Sequence, residues 1–72
     1  MKSNIGRYRE VVTRAAQYER EGELAHATKL WRVAEENARD RHNADQVEYC
    51  QRRAAFCERA LWRERQAARG RS

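Results

Sequence analysis

Almost nothing in this 72-residue chain can stop a helix: it holds no proline and only three glycines, at positions 6, 22 and 70. Gly22 is therefore the only one of these breakers far from either end. Alanine, glutamate and arginine, which lose little conformational freedom in a helix, fill most of the remainder. Val, Ile, Thr and Phe together number eight, too few to furnish a sheet. The pattern predicts an all-α fold, a single small domain over residues 1–72 built of three helices.

Apolar spacing places those helices. Tyr8, Val11, Val12, Ala15 and Ala16 fall three and four apart, predicting a first helix over about 5–21 with Ser3 or Asn4 as its cap. Gly22 ends it, because glycine adopts the left-handed conformation of a helix stop without a Cβ penalty. A second helix over about 23–40 carries the stripe Ala27, Leu30, Trp31, Ala34 and Ala38, with Glu35, Glu36 and Arg39 largely off that face. Asp40-Arg41-His42-Asn43 reads as a connector in which Asn43 caps the next helix. That third helix, over about 44–68, shows Val47, Cys50, Ala54, Cys57 and Leu61 alternating by three and four, the rhythm of a coiled-coil-like seam, flanked by Phe56 and Ala60. Short connectors imply antiparallel neighbours, a helical hairpin plus a longer third helix. The tail over 63–72 is expected to fray.

The apolar supply is thin. Leu, Ile, Val and Phe number nine, and a lone core in a domain this small rarely supplies more than about 3–5 kcal/mol. Self-association is the natural remedy, so a homodimer is expected, with Val47, Cys50, Ala54, Cys57 and Leu61 as the dimer or partner interface.

The net charge of +5 comes from 14 arginines and 2 lysines and is unevenly spread, at +3 over residues 1–20, −2 over 21–40, +1 over 41–57 and +3 over 58–72. Two readings of this charge compete. In one, arginine decorates solvated helix faces; in the other, the basic end touches nucleic acid through Arg59, Arg63, Arg65, Arg69 and Arg71. A helix-turn-helix candidate over 44–56, with Gln46, Gln51, Arg52 and Arg53, is weakened by Asp40 and Asp45, which phosphates repel. No stretch is apolar enough to span a bilayer, and Met1-Lys2-Ser3-Asn4 leads into no apolar secretory segment, so a cytoplasmic protein is expected.

Catalytic constellations are missing from the sequence. The glycines are isolated, the two serines sit near the ends, and His26 and His42 stand sixteen apart in unlike settings. Cys50 and Cys57 lie two helical turns apart, about 10.5 Å of rise, while a disulfide tolerates Cα separations of at most about 7 Å. Zinc would need two further ligands that no spacing supplies. Both cysteines read as small apolar core residues. No enzyme activity, cofactor or metal is expected.

Gly22, then Ala27, Leu30, Trp31 and Ala34, describe two helices crossing closely: a turn, a small residue that permits approach, and an aromatic that fills the groove. The run Glu19-x-x-Gly22-x-x-x-x-Ala27-x-x-x-Trp31-x-x-Ala34, followed by Asn43 and then Tyr49-Cys50-x-x-Arg53-Ala54-x-Phe56-Cys57, resembles the ANR family, small AraC negative regulators of Gram-negative bacteria and their phages. The resemblance spans roughly residues 8–61. It implies a transcriptional regulator acting through protein, which binds an AraC-type activator and blocks its dimerisation or DNA binding, with a nucleoid-associated protein as a further partner. The alternative is a small basic protein acting directly on promoter DNA.

Overall fold

The computed structural model describes residues 4–70. It contains three helices, α1 (Asn4–Arg20), α2 (Leu24–Asp40) and α3 (Ala44–Gly70), and no strand among the described residues. The all-α, three-helix expectation holds, with boundaries within a few residues of those the spacing gave. Ser3 lies outside the described residues.

The two connectors are one turn made twice. In the first, the N–H groups of Glu21, Gly22 and Glu23 bond the carbonyls of Gln17, Glu19 and Tyr18 at 3.0, 3.1 and 2.8 Å. Twenty residues on, those of Arg41, His42 and Asn43 bond Asn37, Arg39 and Ala38 at 3.3, 3.0 and 3.0 Å. The crossed pair of bonds is the Schellman stop, and its pivot must be left-handed. Gly22 meets that need at φ 80°, and His42 meets it at φ 57° despite its Cβ. Asn43 then caps α3 by accepting the Gln46 backbone N–H at 3.1 Å, as the sequence suggested. Glu23 opens α2 without a side-chain cap bond.

Helix α2 packs against both neighbours. The core is Tyr8 and Ala15 from α1, Leu24, Ala27, Trp31, Ala34 and Ala38 from α2, and Cys50, Ala54 and Cys57 from α3. Val11, Val12, Leu30, Val47, Ala60 and Leu61 are half-buried against it. Alanine at 27, 34 and 38 brings the backbones close, and Trp31 supplies most of the filled volume.

Three expectations need correction. The seam through Cys50, Ala54 and Cys57 is closed inside one chain, each residue 0% exposed, and Val47 and Leu61 pack beside it. It packs against α2, with Tyr8 and Glu19 of α1 reaching Cys50 and Cys57, so these three innermost residues are covered within the chain and are not a free surface. The tail stays helical through Gly70, since Trp62 to Ala68 are good helix formers continuing an already nucleated helix. Glu35 is buried at 7% exposure instead of lying off the face.

Candidate functional site

Two carboxylates tie the helices together from inside. Glu19, on the last turn of α1, accepts the Trp31 indole N–H from α2 at 3.1 Å and the Cys57 thiol from α3 at 3.6 Å. Its other oxygen pairs with the Arg53 guanidinium, also on α3. Glu35, on α2, accepts from Arg32 at 3.1 Å, Arg39 at 2.8 Å and Gln51 at 3.2 Å. Burial pushes the Glu35 carboxyl up, but the bonds from Arg32, Gln51 and Arg39 outweigh it and hold its pKa below the ordinary carboxylate value. Arg32 also pairs with Glu58, and the two carboxylates raise its pKa.

At the opposite end, the Tyr8 hydroxyl lies 3.6 Å from the Cys50 sulfur. Burial, reinforced by that contact, raises the Tyr8 pKa, and the Arg41 guanidinium covers the tyrosine ring 5.3 Å from its centroid. Burial likewise raises both thiols, against a Tyr8 hydrogen bond at Cys50 and the Arg53 charge at Cys57. A thiol that resists ionisation is a poor nucleophile. Both cysteines are free and buried. Among the described residues no group of three His, Cys, Asp or Glu could hold a metal ion, and no helix is long and apolar enough to cross a membrane.

Three of the four polar residues of the helix-turn-helix candidate are engaged within the chain: Gln51 holds Glu35, Arg53 holds Glu19, and Arg52 pairs with Glu48 at 2.7 Å; the Gln46 side-chain oxygen is buried without a partner among the described residues. Of the hairpin and motif residues, Ala27, Trp31 and Ala34 are buried and Leu30 is half-buried, while Gly22 and Asn43 form the turns. Tyr49 and Phe56 do not join that core. They are 50% and 43% exposed, because both stand to one side of the α2-facing seam on α3. Tyr49 sets its edge against Trp31 at 5.6 Å between centroids, and Phe56 is covered on one face by Arg53 at 5.0 Å.

What remains outside is the far part of α3. Beyond the half-buried Leu61, every residue from Trp62 to Gly70 is exposed, so the helix projects past the Gly22 turn by about 13 Å. Trp62 is 62% exposed and shares a shallow, open depression with Phe56, Arg59 and Arg63. Of the basic residues singled out in the sequence, Arg63, Arg65 and Arg69 lie on this projection, Arg59 stands exposed just before it, and Arg71 lies outside the described residues. The structure thus puts aromatic and arginine side chains on a convex helical ridge, and leaves the seam residues beneath. Two further depressions, on the outer side of α2 around Val33 and beside Tyr18 on α1, are equally shallow.

The structural hubs Glu19 and Glu35 were not read as such from the sequence. Each stands within four residues of a predicted core position, and Glu19 also heads the run that carries the family resemblance. Trp62, just before the tail expected to fray, was given no role, although a tryptophan between arginines on the outer side of a helix was visible.

No family model, curated protein or solved structure matches this chain.

Proposed function

We propose that this chain is a non-enzymatic regulatory adaptor that acts by binding another protein. The observation that carries the reading is the division of labour between side chains. Glu19, Glu35 and their partners in the bundle hold the three helices together, while Phe56 and Trp62 stay outside on α3 among unburied arginines. Large aromatics and arginine on one exposed face are the residue types that dominate protein–protein binding energy.

The resemblance to the small AraC negative regulators names the partner class we propose, an AraC-type activator whose dimerisation or DNA binding is blocked. A nucleoid-associated protein is a second candidate of the same kind. Self-association belongs to the same proposal, but with the seam closed a homodimer would have to use an outer face. In the runner-up reading the chain contacts promoter DNA, favoured by Arg59, Arg63 and Arg65 standing exposed along the projecting helix.

The two readings part on salt. Each phosphate contact steepens the fall of log affinity with log salt by close to one unit, whereas an apolar interface is nearly flat. Binding of the full chain to a purified AraC-type activator and to its promoter duplex, at about 50 and about 200 mM salt, distinguishes them. The adaptor reading expects activator binding that changes little with salt and displaces the activator from DNA. Tight, promoter-selective binding of the isolated chain to DNA at the higher salt would replace it with the runner-up.

A further inference from the structure

We infer that the exposed outer face of α3 from Phe56 to Arg63 is a docking ridge for an acidic amphipathic helix of a partner protein, with Phe56 and Trp62 as its apolar anchors and Arg59 and Arg63 as its charge contacts. The inference rests on the adaptor reading and adds to it the surface and the chemistry of what binds there.

Shape gives the first argument. Phe56, Arg59 and Arg63 follow the three-and-four spacing by which one helix lies along another, and Trp62 completes the shallow depression they line. A convex ridge suits a second helix laid beside it. It lacks the groove by which proteins track a single-stranded backbone.

Charge gives the second. The acids on this side of α3 are Asp45, about 16 Å of rise before Phe56, and Glu48, which Arg52 neutralises at 2.7 Å. Glu58, beside Trp62 on the helix, is engaged by Arg32 of α2. Arg59 and Arg63 make no ion pair among the described residues, so this side presents two uncompensated positive charges beside two aromatic rings. Carboxylates flanking an apolar stripe match that arrangement, as paired charges do along helix–helix seams. A second copy of this chain does not, because its matching face carries the same sign. Duplex DNA satisfies the arginines but offers Phe56 and Trp62 little apolar surface beyond thymine methyl groups.

The test uses the full chain and follows Trp62 by emission and acrylamide quenching, since Trp31 is 1% exposed and hidden from the quencher. The probes are a synthetic amphipathic helix with a leucine stripe flanked by glutamates, the same helix with lysines for the glutamates, a DNA duplex, a single strand, and a purified AraC-type activator. We expect the acidic helix to shield Trp62 and the lysine version not to. Trp62→Ala, read by the anisotropy of a dye-labelled acidic helix, and separately Arg59→Glu with Arg63→Glu, should weaken binding about 30-fold, the loss typical of a hot-spot residue, with far-UV circular dichroism unchanged because all three side chains are exposed.

Equal binding of the acidic and basic helices overturns the inference. So does shielding of Trp62 by DNA alone, or by raising the protein concentration alone, which would make nucleic acid or a second copy the occupant. If the activator binds the parent chain and the Trp62→Ala variant equally well, the ridge is wrong and the adaptor reading stands. If the acidic helix shields Trp62 but the activator does not bind, the ridge stands and the proposed partner class falls.

Discussion

Glu19 reaches from α1 to both other helices, which makes its removal a sharp probe of how the bundle is held. Glu19→Ala leaves the indole N–H of Trp31 inside the core without its acceptor at 3.1 Å, and an orphaned buried donor costs about 1–3 kcal/mol. The pair with Arg53 adds less, because Arg53 is 35% exposed and turns to water, and such pairs are worth about 0–1 kcal/mol. The expected loss is therefore about 1–4 kcal/mol, against a total of about 4–11 kcal/mol for a chain of this length. In melting temperature that is a fall of at least about 4 °C. Glu19→Gln keeps an oxygen for the indole and should lose only about 1 kcal/mol. Urea unfolding followed by far-UV circular dichroism measures each variant, and combination with Trp31→Phe, which removes the N–H and keeps a ring, isolates the shared bond. A coupling of about 1–2 kcal/mol is expected. A Glu19→Ala variant within about 0.5 kcal/mol of the parent, or strict additivity with Trp31→Phe, would refute the reasoning.

The two matching turns predict opposite responses. Gly22→Ala meets no neighbour within 4 Å, so its cost is conformational, about 1–2 kcal/mol, while His42→Gly relieves the same penalty and should stabilise by about 0.5–1 kcal/mol. Thermal melts showing the same sign for both would count against the Schellman assignment. Cys50 and Cys57, buried and with raised pKa values, should resist a thiol reagent in the native protein and both react once urea unfolds it; one fast-reacting thiol in the native state contradicts this. Glu35 has a folded pKa below its unfolded value, so its stabilisation is present above the ordinary carboxylate range and is lost as pH falls through the folded pKa. Melting temperature against pH should drop on that acid side, and less steeply for Glu35→Gln; an unchanged acid limb in the variant would remove Glu35 from the explanation.

The architecture was legible because helix stops are chemically loud in a chain without proline. Gly22 and Asn43 marked both turns, and the three-and-four spacing of Ala27, Trp31, Ala34 and Ala38 marked the central face. The position of Cys50, Ala54 and Cys57 was legible as a seam but not as an internal one, because periodicity says that a face is buried and not what buries it. Glu35 was misplaced for a related reason: a charge beside an apolar stripe is buried only if partners from another helix reach it, and Gln51 is sixteen residues away in sequence. Phe56 was read as part of the broadened core, yet it stands about 100° round the helix from Cys57, far enough to leave it outside. Position on the helical wheel, weighed separately from hydrophobicity, is the signal that separates the exposed aromatics of α3 from its seam.

Amide hydrogen exchange on the full chain, alone and saturated with a purified AraC-type activator, tests the central claim most directly. On this account the bundle around Ala27, Trp31, Ala34, Cys50, Ala54 and Cys57 is protected in both states. The projecting turns from about Trp62 to Gln66 exchange quickly alone and slow by tenfold or more, about 1.4 kcal/mol or more of added protection, in the complex. Protection gained only on the outer side of α1 or α2, with residues 62–66 exchanging as fast as before, would contradict it.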